Sequence, residues 1–340
     1  MPYTTADFDY ALPPELIAQE PVAERGASRL LVVRRGGGLE DRRFPAIVDL
    51  IPPGDLLVLN TTRVRHARFL GARPSGAPAE VLLIHPSTDG KWVAIGKPGS
   101  ALRPGKRIVI DGGEIETVAV LDEGFREVRF VGITAEEAIA RAGRLPLPPY
   151  IERAPTDADE ERYQTVYAER EGSVAAPTAG LHFTPTLLDA LRAKGVEIVT
   201  LDLEVGPGTF KPVEVVDPAT HPMHEERYEI PAATAAAIAA LRERGGKLWA
   251  VGTTVVRALE SSAGEGGRVA AGAGATRLLI TPGYRFRVVD RLLTNFHLPR
   301  STLVMLVAAF AGYDAAMAAY RHAVAERYRF YSYGDAMVIL

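Results

Sequence analysis

The 340-residue chain contains no cysteine. That excludes disulfides, a thiol nucleophile and cysteine-ligated metal, and it fits a reducing compartment. An excess of positive charge is also missing: 39 Lys and Arg against 42 Asp and Glu leave a formal net charge of −3. This argues against blanket nucleic-acid binding and leaves room for a local basic patch. The longest apolar run, residues 303–311, is too short to span a bilayer. Residues 1–9 carry no basic region followed by an apolar one, so no secretory leader is expected there. No Gly is followed by Lys at P-loop spacing, and no helix pattern places two His four apart around a Glu. His221 and His224 flank Pro222 and Met223 with no third ligand in view, so no metal is expected. These absences point to a soluble cytoplasmic protein.

What is present bounds the fold. At 47% hydrophobic the chain can bury a large core, and its length suits two domains or one domain with an insertion. Pro13-Pro14 predicts a short helix ending at Pro21. Ser28 to Val33 reads as a strand with Gly36-Gly-Gly38 as the turn after it. Asp55-Leu-Leu-Val-Leu-Asn-Thr-Thr-Arg63 runs apolar and then polar, as a strand delivering polar groups at its carboxyl end would. From about Val64 to Tyr150 short β-rich runs follow one another, separated by turns such as Asp89-Gly90 and Pro104-Gly105. That spacing predicts a small antiparallel barrel or sandwich, inserted into the rest. A short helix with a capping box is expected from Thr134, and a solvated linker and helix from Asp157 to Glu171.

From Gly172 the pattern becomes strand, loop and helix in repetition, which predicts an α/β core with largely parallel strands. The units run from Ser173 to Lys194, Val196 to about Pro212, Ala232 to Arg244, Lys247 to Ser262 and Arg291 to Gly312. The expected fold is thus a barrel-like or three-layer α/β core, residues 1–63 and 151–340, with a β-barrel domain at 64–150. In such cores, sites form at the carboxyl ends of the strands.

Several unusual stretches fall at those ends. Val174-Ala-Ala-Pro-Thr-Ala-Gly-Leu-His-Phe-Thr184 is slim and apolar, as a backbone track approaching a ligand would be. Thr184 then caps a helix that opens on Pro185 and stops at Gly195. Gly252-Thr253-Thr254 opens another helix, which Thr253 or Thr254 can cap, with Arg257 and Glu260 one turn apart. Such a corner suits an anion, a carboxylate or a ribose hydroxyl. Thr294-Asn-Phe-His-Leu-Pro-Arg-Ser-Thr302 repeats the design with a Ser301 cap. There, strand alternation sends Asn295 and His297 to one side and Thr294 and Phe296 to the other. Val205-Gly-Pro-Gly-Thr209 is a Gly loop after a strand. Tyr328-Arg-Phe-Tyr-Ser-Tyr-Gly-Asp335 clusters aromatics that could stack on bases or serve as core. Two locally basic stretches stand out: Arg63, Arg65, Arg68 and Arg73, and residues 277–300, each net +4.

Taken in order, Ala11-Leu-Pro-Pro-Glu-Leu-Ile-Ala-Gln19, Ala27-Ser-Arg-Leu30, Pro53-Gly-Asp-Leu-Leu-Val-Leu-Asn60, Tyr163-Gln-Thr-Val-Tyr167, Ala175-Ala-Pro-Thr-Ala-Gly-Leu-His-Phe-Thr184, Gly252-Thr-Thr254, Pro282-Gly-Tyr284, Thr294-Asn-Phe-His-Leu-Pro299 and Tyr333-Gly-Asp-Ala-Met337 form a specific set. The set resembles the S-adenosylmethionine:tRNA ribosyltransferase-isomerase family of queuosine biosynthesis, from about Asp7 to Ile339. The resemblance implies an α/β core with an inserted β-barrel and no metal. It implies transfer of the ribosyl part of S-adenosylmethionine to the aminomethyl group of a 7-deazaguanine at the wobble position of tRNA. Epoxyqueuosine forms, and adenine and methionine leave.

By position, the resemblance puts substrate contacts at Asn60, Arg63, Thr178, Gly180, Phe183, Thr184, Gly252, Thr253, Thr254, Arg257, Asn295, Ser301 and Tyr333. Proton transfer falls to His182 and His297, with Asp335 third, and tRNA contact to Arg63, Arg65 and Arg68. S-adenosylmethionine is expected as co-substrate with no further cofactor. The modified tRNA is the expected partner, the protein a monomer without membrane attachment. The sequence departs from the family pattern at Thr61, Glu204, Val255 and Thr281, where Asp, His, Ser and Tyr are common. A non-catalytic nucleotide- or RNA-binding relative, or an S-adenosylmethionine-dependent enzyme with another acceptor, are the alternatives those departures raise.

Overall fold

A computed structural model describes residues 3–210 and 213–340 of the chain, with the side chains of residues 209 and 210 outside the description. The end of the unit predicted to run to about Pro212 therefore lies outside the described residues. The core is an open nine-stranded sheet. In spatial order its strands are Gly272–Thr276, Glu226–Ile230, Glu197–Leu203, Leu56–Asn60, Leu248–Val251, Arg291–Asn295, Ala336–Ile339, Arg29–Val33 and Leu39–Arg43. The four strands from Glu197–Leu203 to Arg291–Asn295 are mutually parallel. Antiparallel pairings enclose them on both sides.

Alternation along each central strand feeds two separate cores. Leu31, Val33, Leu56, Val58, Leu248, Ala250, Leu292, Met337 and Ile339 face one. Leu30, Val32, Leu57, Leu59, Trp249, Val251, Leu293, Ala336 and Val338 face the other. Helices Ala232–Arg244, Thr253–Ser262, Thr302–Ala311 and Tyr313–Ala325 cover the first face. Pro185–Ala193 and the turns around Phe44 and Phe183 cover the second. The core is therefore layered, the three-layer form of the two that the sequence allowed. Helix Thr302–Ala311 is apolar on nearly every side because it is buried on nearly every side. Among the described residues no single helix is long and apolar enough to cross a membrane.

Between Leu56–Asn60 and Glu197–Leu203 the chain builds a closed six-stranded barrel: Arg68–Ala72, Pro78–Pro86, Trp92–Lys97, Arg107–Ile110, Gly113–Val120 and Arg126–Val131. Its own core includes Phe69, Val81, Trp92, Ile108, Ile115 and Val128. Ala135–Ala142 follows with the predicted capping box, Thr134 Oγ1 accepting from the Glu137 N–H.

Three expectations change. The helix predicted to run from Pro14 towards Pro21 is a single turn, Pro14–Leu16, because Ile17 turns to bridge Phe330. The segment after Asp157 is not a solvated linker throughout: the helix ends at Arg162, and Tyr163, Gln164 and Thr165 are buried. Gln164 takes the place of a strand partner for Val64, accepting its N–H at 3.0 Å and donating to its carbonyl at 2.9 Å. The strands Leu39–Arg43 and Arg68–Ala72 carry no clear apolar pattern and were not among those predicted.

Candidate functional site: a cleft at the carboxyl ends of the parallel strands

Three corners meet at one end of the parallel strands. The track after Ser173 forms a short turn, Thr178–His182, before Thr184 Oγ1 accepts from the Leu187 N–H at 3.2 Å and starts helix Pro185–Ala193. Its Gly180 is forced: a Cβ there would lie 2.1 Å from the Tyr167 hydroxyl oxygen. Gly252, at φ +95°, turns strand Leu248–Val251 into helix Thr253–Ser262. The corner itself supplies the cap position, so neither Thr253 nor Thr254 caps the helix with its side chain, as had been expected. Ser301 does cap Thr302–Ala311, accepting from the Val304 N–H at 3.3 Å.

Together these corners enclose a cleft with about 660 Å³ of empty space, solvent-open mouth included. Of the sequence-predicted residues, Thr178, Gly252, Thr253, Thr254, Asn295, His297 and Ser301 line it. Two helix amino-termini, those of Thr253–Ser262 and Thr302–Ala311, border it and favour negative or polar ligand groups. Tyr150 and Tyr331, which sequence reasoning did not place here, form a wall with ring centroids 4.3 Å apart. Ser332 fixes that wall through an oxygen–oxygen contact of 2.5 Å to Tyr150. The signal that could have found Tyr331 is its position in the aromatic cluster before Asp335. Tyr150, far away at the exit of the barrel, has no such signal.

His297 is buried, and burial pulls its pKa down to about 3, so the ring is neutral at pH 7. Its Nε2 lies 2.7 Å from Thr294 Oγ1, so these two residues share a side rather than opposing one another. The alternation fails because the strand stops at Asn295 and the chain bends. His182 stacks on Phe44 with centroids 5.0 Å apart, and its Nδ1 lies 2.7 Å from Ser28 Oγ. Burial lowers its pKa to about 4, opposed by the amide of Asn295. His182 does not line the cleft; it stands behind it, lining a smaller pocket with Arg25, Arg162 and Tyr333.

The structure places the remaining candidates elsewhere. Asp335 accepts from the backbone N–H groups of Arg29 at 2.7 Å and Arg329 at 2.8 Å, one on each oxygen, and lines no part of the cleft. Burial raises its pKa, partly offset by those two bonds. Tyr333 donates to Asp159 at 2.6 Å. Phe183 is core, edge-on to Phe44. Asn60 exchanges two 3.0 Å hydrogen bonds with the Leu203 backbone and holds two parallel strands together. Arg257 points into a neighbouring compartment, paired with Glu226. Arg63 and Arg65 donate to the carbonyls of Ala168 and Glu171, while Arg68 is held by both oxygens of Glu80 at 2.9 Å. His224 contacts Glu123 of the barrel at 2.5 Å. The four departures, Thr61, Glu204, Val255 and Thr281, all fall outside the lining of the cleft.

This is the arrangement of an open α/β protein with its cleft at the carboxyl ends of parallel strands, where ligands bind in that class. The chain belongs to the family described as queuosine biosynthesis protein, whose model matches residues 5–339. An S-adenosylmethionine:tRNA ribosyltransferase-isomerase of Anaeromyxobacter sp. (strain Fw109-5) is 55% identical over 98% of this chain and 98% of its own length. One of Azoarcus sp. (strain BH72) is 53% identical over 100% of this chain and 98% of its own. The crystal structure of an S-adenosylmethionine tRNA ribosyltransferase from Thermotoga maritima is 39% identical, covering 98% of this chain and 100% of that one with a TM-score of 0.57.

Proposed function

We infer that the chain is an S-adenosylmethionine:tRNA ribosyltransferase-isomerase and that the cleft binds S-adenosylmethionine. The observation that carries the reading is the meeting of Thr178, Gly252–Thr254 and Asn295–Ser301 in one cleft. These come from three of the stretches on which the resemblance rests. Full-length similarity to relatives bearing that name supports it, as does the position of the four departures outside the cleft.

The chemistry asks for few groups. A sulfonium makes the adjoining ribose carbon acidic, so a neutral base is needed. His297 is the group lining the cleft that we assign to that role: it is uncharged at pH 7, and its Nε2 is oriented by Thr294. Tyr150 and Tyr331 offer a stacking wall for a purine. The acceptor is the aminomethyl-deazaguanine of a tRNA, approached by Arg63 and Arg65. That substrate places the reaction in the cytoplasm, carried out by a monomer in which residues 64–150 act as an inserted domain. The test is to mix the protein with S-adenosylmethionine and a tRNA carrying the aminomethyl-deazaguanine and follow products by mass spectrometry. Epoxyqueuosine with free adenine is expected. Binding of S-adenosylmethionine without either product would sink the reading in favour of another acceptor or a non-catalytic relative.

A further inference from the structure

Beside the cleft lies a second, smaller compartment with about 360 Å³ of empty space, solvent-open mouth included, lined among others by Arg257, Glu226, His221, His224, Thr302 and Leu303. Leu303 lines both spaces, so they adjoin across the start of helix Thr302–Ala311. The guanidinium of Arg257 is 7% exposed. Its Nε donates to the Leu278 carbonyl at 3.0 Å and its Nη1 to Glu226. Glu226 also accepts from the Gly206 N–H at 3.2 Å. These bonds fix the plane of the guanidinium, yet among the described residues Nη2 is buried with no hydrogen-bond partner. A buried charged donor left unpaired is costly, and native folds rarely leave one without a use. The first-turn N–H groups of Thr302 and Leu303 belong to a ten-residue helix and lack intrahelical acceptors.

We propose that this compartment is a carboxylate subsite, and that Arg257 Nη2 and the amino-terminus of helix Thr302–Ala311 receive the carboxylate of the methionine part of S-adenosylmethionine. The proposal rests on the reading of the cleft as the S-adenosylmethionine site. One unpaired nitrogen in a fixed plane, beside first-turn N–H groups, matches a planar monoanion at the end of a ligand. Nη1 of the arginine is already taken by Glu226, which leaves a single nitrogen for a monoanion rather than a dianion. The adjoining cleft gives the adenosyl end of the same molecule a place within reach. A phosphate of the tRNA shares the anion chemistry, and the test separates the two.

Calorimetry would compare S-adenosylmethionine with decarboxylated S-adenosylmethionine, which differs by the carboxylate alone. The natural protein should lose about 10- to 100-fold in affinity when the carboxylate is removed, the range of a charge-assisted hydrogen bond. In Arg257→Gln that difference should shrink to a few-fold, while affinity for the decarboxylated compound holds. Because Arg257→Gln takes away the cation that Glu226 faces, the double variant Arg257→Gln/Glu226→Gln is measured beside it, with circular dichroism to confirm folding. Equal affinity of the natural protein for both compounds overturns the subsite and leaves the cleft reading standing. Binding of neither compound removes the cleft reading itself. Retained discrimination in the variants, with weaker and less salt-dependent tRNA binding, assigns Arg257 to a phosphate and also overturns the proposal.

Discussion

Asn295 Nδ2 donates to the backbone carbonyl of Tyr331 at 2.9 Å, tying the end of a central strand to the aromatic wall of the cleft. Tyr331 holds φ at +71°, a conformation that costs energy for a non-glycine residue and persists only where neighbours impose it. Behind Asn295 stands His182, and the free oxygen of the amide faces the ring loosely enough that neither His182 Nε2 nor Asn295 Oδ1 has a well-formed partner. Asn295 turns its Oδ1 towards the ring, and the tautomer that suits both neighbours has the proton on Nε2 with the Ser28 hydroxyl donating to Nδ1.

His182 therefore acts through Asn295 as a positioning residue. His182→Phe should lower kcat/KM for S-adenosylmethionine about 10-fold, on the scale of the buried hydrogen bond to Ser28 that it removes. Asn295→Leu should do at least as much, because it also frees Tyr331. Steady-state kinetics check both, with KM rising more than kcat falls. A loss confined to kcat, with a changed pH profile, would return His182 to proton transfer.

The two buried histidines set an acid limit on stability. Folded pKa values of about 4 for His182 and about 3 for His297 lie below the ordinary 6.5. The unfolded chain binds these protons first, so stability falls as pH drops from about 6.5 towards 3 and is unaffected by them above that range. Asp202 works the other way: burial and Glu204 hold it up at about 6, so it adds stability below that pH. Melting temperature against pH should show a decline below about pH 6 that is shallower in a His182→Phe variant. An identical decline in both would remove His182 from the account.

Asp335 offers a test of structural against chemical roles. Both of its oxygens accept backbone N–H groups, and an amide has only one acceptor to give. Asp335→Asn should cost roughly 1–3 kcal/mol of stability, readable by denaturant titration. At a temperature where the variant is folded, kcat should stay within a few-fold of the natural protein. A fall of a thousandfold in a folded variant would make Asp335 a participant in the reaction.

The arginines separate by their partners. Arg63 donates to a backbone carbonyl and Arg65 to another, with the Glu171 carboxylate a distant 3.9 Å from Arg65, whereas Arg68 is matched by Glu80 on two bonds. Replacing Arg63 or Arg65 by Ala should weaken tRNA binding and reduce its salt slope by about one each. Arg68→Ala should change the slope less. Filter binding across a salt series distinguishes the three, and equal slopes for all would place the tRNA on another face.

The corners of the core were legible because their signals are local. Thr184-Pro185 and Ser301 announce helix starts by their own side chains, and Gly252 marks a turn that only glycine makes cheaply. The barrel was legible from the spacing of its turns. What could not be read was partnership across distance. Nothing near Asp335 in sequence predicts that Arg29 takes one of its oxygens, and nothing near Tyr150 predicts Tyr331. Leu39–Arg43 escaped because a polar edge strand has no buried face to impose an alternating pattern. The pairing of Thr294 with His297 escaped because period-two reasoning stops where the strand does.

Strand Arg29–Val33 is hydrogen-bonded to Ala336–Ile339, in parallel register from Leu30 with Ala336 to Val33 with Ile339. One of the earliest strands thus waits for the last. On the ribosome the barrel can close as soon as residue 131 is clear, while the central sheet has a gap until residue 339 emerges. Asn295 cannot meet Tyr331 until residue 331 is clear, nor Arg29 meet Asp335 until residue 335 is. The cleft is completed only once strand Ala336–Ile339 is in place, so a chain cut short before that strand yields a folded barrel attached to an unfinished core.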